Sequence, residues 1–106
     1  MATTPTAFFR GAATTTTTTV LATVPASTTW IVTNIAVANI TASAATFTLA
    51  MGQSTTQVSI ATTSTVPANS TIYIDLKQVL ATTNTITGGA SAASAINFHI
   101  SGIALA

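Results

Sequence analysis

Five side chains in this sequence titrate in ordinary protein chemistry: Arg10, Tyr73, Asp75, Lys77 and His99, one of each kind. A hydrolytic triad would have to combine His99, Asp75 and one of the serines. No Gly-x-Ser-x-Gly elbow is present to raise a serine above a strand-to-helix turn. The only acid sits mid-strand, where alternation points it outward. Glycoside cleavage requires two carboxylates and a zinc site at least three protein ligands; one Asp and one His supply neither. Cysteine is absent, which removes thiolate chemistry and disulfides. Gly88-Gly89 lacks the spacing and the basic partner of a phosphate loop and reads as a turn. The expectation is a protein with no catalytic residues, no metal and no cofactor.

The remaining chemistry is that of contact. Asp75 and Lys77 lie two apart, on one strand face, as solvated charges or as half of an inter-subunit ion pair. An isopeptide between Lys77 and an Asn, promoted by Asp75, is the one covalent option these residues offer. Trp30 and Tyr73 occupy near-equivalent places in two similar segments. Either could stack on a sugar ring, which makes a glycan-binding module the alternative function, although the area of Trp30 suits a core or an interface better. Asn39-Ile40-Thr41 and Asn69-Ser70-Thr71 match the glycosylation sequon, as a Thr-rich chain does by chance. Pairs such as Thr46/Thr48 and Thr85/Thr87 resemble ice-binding ranks, but their intervals are irregular.

Charged residues make up 3% of the chain and the formal net charge is +1. That is too little to gather phosphates by counterion release, so no nucleic-acid partner is expected. A nearly neutral surface favours association. No run reaches the roughly eighteen apolar residues of a membrane span, and the first ten residues lack a basic, then apolar, export signal. These features predict synthesis in a cytoplasm and no membrane partner. Leu, Ile, Val and Phe form about a quarter of the 106 residues, enough for one domain with one core.

The elements that must carry these residues read as short strands. Thr29–Asn39 is the longest, with imperfect alternation that a bulge or two-sided burial would explain. Phe47, Leu49 and Met51 share a face, as do Val58 and Ile60, then Ile72, Ile74 and Leu76, then Ile96, Phe98 and Ile100. Thr85-Ile86-Thr87 is a weaker strand ending at the glycines. Lys77–Leu80 is a candidate helical turn. A further strand starts inside the Thr14–Thr19 tract and runs to Val24. Seven or eight such strands with turns every 8–12 residues predict an all-β fold: a single antiparallel β-sandwich, with a jelly roll as one form of it. Residues 1–13 read as an extended N-terminal arm bearing Phe8, Phe9 and Arg10, and residues 14–106 as the sandwich domain. Val24-Pro25-Ala26-Ser27-Thr28-Thr29-Trp30-Ile31-Val32 aligns without a gap on Val66-Pro67-Ala68-Asn69-Ser70-Thr71-Ile72-Tyr73-Ile74, a hint of internal duplication.

Phe9-Arg10-Gly11-Ala12, the two Val-Pro-Ala segments, Val37-Ala38-Asn39 and Ala95-Ile96-Asn97-Phe98-His99-Ile100-Ser101-Gly102 together resemble small accessory virion proteins of tailed bacteriophages. These are capsid-decoration, head-fibre and minor tail components built on β-sandwiches. The likeness covers roughly residues 9–106 and rests on turn and strand motifs; the unbroken Thr tract departs from it. It implies a structural protein on the virion surface that binds the major capsid protein or another virion protein. A homo-oligomer is expected, with a trimer favoured. Phe8, Phe9, Arg10, Trp30 and Tyr73 are the expected partner-binding residues.

Overall fold

The computed structural model describes residues 3–53 and 56–106; Met1 and Ala2 of the expected arm lie outside them. Eight strands follow one another: β1 Thr3–Ala12, β2 Val20–Thr23, β3 Thr29–Asn39, β4 Ala45–Gln53, β5 Thr56–Val66, β6 Thr71–Leu80, β7 Thr85–Ala90 and β8 Ile96–Leu105. They form two four-stranded antiparallel sheets, β1-β8-β3-β6 and β2-β7-β4-β5, called here A and B. The all-β sandwich expected from the alternation is what the chain forms. Its winding is simple to state. The β4–β5 hairpin is the tip of a double ribbon in which β3 pairs with β6, β2 with β7 and β1 with β8.

Clean alternation becomes clean burial. Phe47, Leu49 and Met51 of β4 face Ile96, Phe98 and Ile100 of β8 across the sandwich, all buried. Phe47 and Phe98 meet edge to face, ring centres 6.0 Å apart. Both Val-Pro-Ala segments do the same job. Each buries its valine (Val24, Val66) and places its fourth residue, Ser27 or Asn69, at positive φ. Each thereby carries the chain from an edge strand of sheet B into sheet A, and the strands they begin, β3 and β6, pair with one another.

Four local expectations change. Residues 3–12, read as an arm outside the sandwich, form β1 and pair with β8 along its length. Phe8 and Phe9 both pack on the core, and Pro5, lacking an N–H, is tolerated because β1 is an edge strand. The Thr14–Thr19 tract is a loop, and β2 starts only at Val20. Threonine hydroxyls compete with strand bonding by pairing locally: Thr14 Oγ1 and Thr19 Oγ1 lie 2.8 Å apart, and Thr19 Oγ1 donates to Thr16 O at 2.8 Å. Gly88 and Gly89 are no turn but the buried middle of β7, where a Cβ at Gly89 would run into the backbone of Thr16 and Thr17. Lys77–Leu80 continues β6, since the edge pairing with β3 holds it extended to Leu80.

The irregularity of β3 is a bulge, and β1 has one beside it. Against β8, the pairing slips between Val32 and Asn34 of β3 and between Ala7 and Phe9 of β1. Thr33 and Phe8 are therefore extra residues on either side of a regular β8. The slip in β3 turns Trp30 and Val32 inward as well as Ile35 and Val37. Gly102 lies on this line, and a Cβ there would land on the carbonyl oxygen of Ile31 and crowd Phe8. Gly102→Ala is expected to cost about 3 kcal/mol, since backbone must give way. At Gly11 an added Cβ meets only the Phe9 ring, at 3.4 Å, so Gly11→Ala should cost less than about 1 kcal/mol. Urea denaturation of both variants checks the contrast; equal costs would remove the close approach at Gly102 from the explanation.

Candidate functional site

The strand register brings the scattered ionisable residues to one surface. On the outer face of sheet A, Arg10 of β1 pairs with His99 of β8, His99 with Ala36 of β3, and Ala36 with Tyr73 of β6. This is one straight row across the sheet. The adjacent row is Ala7, Ser101, Asn34 and Asp75, and the one beyond Arg10's is Ala12, Asn97, Ala38 and Thr71. Lys77 is two residues along β6 from Asp75, on the same face. All five titratable side chains thus share one side of one sheet. Arg10, Tyr73, Asp75, Lys77 and His99 are all exposed, Tyr73 to 70%.

The far end of the same face is apolar. Pro5, Ile103, Ile31 and Val79 form the row on the other side of the bulges, with Leu105 beyond. Val79 is 65% exposed, while Ile31, Ile103 and Leu105 are half-buried by their neighbours. A shallow open depression of about 570 Å³ runs between the two halves, along Pro5, Ala7, Arg10, Thr33, Ser101 and Ile103.

Side-chain bonding on this face is sparse. Asn34 Nδ2 donates to Asp75 Oδ1 at 3.3 Å. His99 and Asp75 are held two strands and one row apart with β3 between them, at about 12 Å for ordinary strand spacing and rise. No group of three His, Cys, Asp or Glu comes together among the described residues.

The outer face of sheet B is different, because the chain covers it itself. Gln57 of β5 lies over β7: its Nε2 donates to Thr85 Oγ1 at 2.7 Å and to Gln53 O at 2.6 Å, and its Oε1 accepts from Thr87 Oγ1 at 3.2 Å. Thr85 and Thr87 are buried as a result, although they point away from the core. The Thr tract is tied to β7 at both ends, with Ala90 N donating to Thr14 O and Gly88 N to Thr19 O, and its middle arches over Gly89. Two hydroxyl-lined depressions remain beside it, of about 220 and 350 Å³.

The five expected partner-binding residues divide between interior and surface. Trp30 is 8% exposed and stacks on Phe8, centres 4.2 Å apart and planes 15° from parallel. Phe9 is half-buried against the core. Arg10 and Tyr73 are at opposite ends of the row described above. Sequence reasoning left out His99, between them, because only the register shows which residues it joins. It also passed over Asn39 as a chance sequon. That side chain is buried and fully bonded: Nδ2 donates to Ser43 O and Val66 O, and Oδ1 accepts from Thr41 N and Oγ1. It ties the β3–β4 turn to the end of β5.

Compared with known protein families, curated proteins and solved structures, the chain finds no match.

Removing the Phe8 ring uncovers one side of Trp30. Phe8→Ala is expected to lower stability by about 2 kcal/mol, less than for a fully buried Phe, and to shift the emission of the only tryptophan to longer wavelength. Unchanged emission and stability would mean that the two rings do not stack in solution.

Proposed function

We propose that this chain is a structural virion protein that decorates the outer surface of a phage head as a homo-oligomer, reaching the virion after synthesis in the host cytoplasm. The observation that carries this reading is the strand order. A double ribbon wound into β1-β8-β3-β6 over β2-β7-β4-β5 is the order of a jelly roll, an architecture of viral capsid and lectin domains. The resemblance of the Val-Pro-Ala segments and the C-terminal strand to accessory virion proteins points the same way. A neutral surface suits a part that works by lying against neighbours, where each desolvated charge would need a partner. On this reading the partner is the major capsid protein or another virion protein.

Glycan binding is the second reading. The exposed ring of Tyr73, on an open sheet face, is the observation in its favour; the other aromatic proposed for it, Trp30, is stacked against Phe8 and buried.

Particles assembled with and without the chain, imaged by cryo-electron microscopy, test the first reading. Density for a small sandwich on the head surface is expected only when the chain is present. Identical particles in the two preparations would contradict it, and density confined to a fibre tip would favour the glycan reading.

A further inference from the structure

We infer that the outer face of sheet A is the seat of a second copy of this chain, packed face to face about a two-fold axis parallel to the strands. The contact stands independently of the virion reading, and it makes the basic assembly two-fold in place of the three-fold one expected from sequence.

The argument is the pattern of the rows. A two-fold axis along the strands lays each row on the same row of the other copy with its order reversed, so β1 covers β6 and β8 covers β3. The row Pro5, Ile103, Ile31, Val79 then meets Val79, Ile31, Ile103, Pro5, apolar on apolar along its length. The row Arg10, His99, Ala36, Tyr73 meets Tyr73, Ala36, His99, Arg10. The bulky His99 falls on the small Ala36, and the Arg10 guanidinium falls on the Tyr73 ring, where a cation is attracted to the π face. Asp75 of the other copy is the next outward residue along β6 from that ring, about 7 Å away at strand spacing, within the length of an Arg side chain. In the row between, Ser101 faces Asn34, hydroxyl to amide. In the row Ala12, Asn97, Ala38, Thr71, the larger Asn97 meets Ala38 and Thr71 meets Ala12. Lys77 sits at the edge, where its stem can cover apolar surface while the ammonium stays in water.

The competing two-fold, with its axis across the strands, reverses the order of the rows instead. It sets the Arg10–Tyr73 row against the Ile31–Ile103 row and buries charge on apolar surface without partners, which is costly. Charge and size complementarity therefore choose the first axis. Four strands of about ten residues present roughly 650 Å² of planar face at ordinary strand spacing and rise. With side-chain relief that approaches the ~800 Å² per partner of a standard stable interface. Tyr73 and Val79, two of the five large apolar side chains left exposed among the described residues, would be covered. The sandwich edges and the outer face of sheet B stay free for other contacts.

Sedimentation velocity and native mass measurement of the purified chain test the contact. The expected species is a dimer. Val79→Glu, an outward change at an exposed position, is expected to give a folded monomer by circular dichroism. Arg10→Asp and Asp75→Arg are each expected to weaken the dimer at least about tenfold. The two residues lie on opposite edges of their own sheet, so recovery of the dimer in the Arg10→Asp, Asp75→Arg double variant can come only from contact between copies. A monomer at every concentration reached, a trimer, or a dimer indifferent to all three changes would overturn the proposal, as would a double variant no tighter than the single ones.

Discussion

β8 runs straight between two strands that each insert a residue at the same level, and this mismatch fixes the rest of sheet A. Its cause is steric. Gly102 presents no Cβ, so the Ile31 carbonyl and the Phe8 ring can close on the strand from either side. A side chain there would force β1 and β3 apart or back into continuous pairing. Because strand side chains alternate with period two, one inserted residue changes the facing of everything beyond it. The bulge at Phe8 turns both Phe8 and Phe9 to the core and sends Arg10 outward. The bulge at Thr33 lets Trp30, Val32, Ile35 and Val37 all face inward and puts Ala36 out beside His99. The row of Arg10, His99, Ala36 and Tyr73 can face outward while Trp30 and Val32 face the core only because β3 slips between them.

With so few charges, the sandwich guards its edges mainly by geometry. Each of the four edge strands, β1, β2, β5 and β6, has a register slip against its neighbour, and irregular pairing discourages the addition of foreign strands. The three charged residues reinforce this on sheet A, with Arg10 on β1 and Asp75 and Lys77 on β6. The faces divide the remaining work. Sheet B folds Gln57 and the Thr tract back over itself, while no other described segment lies over the apolar and ionic rows of sheet A. The loop and the glutamine that shield sheet B have no counterpart among the described residues over sheet A.

Much of this was legible in the sequence. The alternations of Phe47-Leu49-Met51, Ile72-Ile74-Leu76 and Ile96-Phe98-Ile100 gave three strands and their inward faces, and the broken pattern after Trp30 signalled the bulge. What stayed hidden depended on contacts between distant segments. The Thr tract is β-branched and reads as strand, but local hydroxyl bonding makes it a loop. Gly88-Gly89 looks like a turn until Thr16 and Thr17 are placed above it. Val58 and Ile60 differ in burial: Ile60 packs on the core, while Val58, opposite the buried Met51 on the edge strand β5, is left 65% exposed, which alternation alone does not reveal. Arg10 and Tyr73 read as contact residues from their types alone. That His99 stands between them, and that Trp30 has its partner in Phe8, required the register.

Backbone NMR of the labelled protein measures that register without appeal to side chains. Cross-strand contacts are expected to pair Arg10 with His99, His99 with Ala36 and Ala36 with Tyr73, and to skip Phe8 and Thr33 on either side of an unbroken β8. Ladders that run through residues 7–9 and 32–34 without a skipped residue would contradict the account, because Trp30 and Val32 could then not face the core while Ala36 stood outward between His99 and Tyr73.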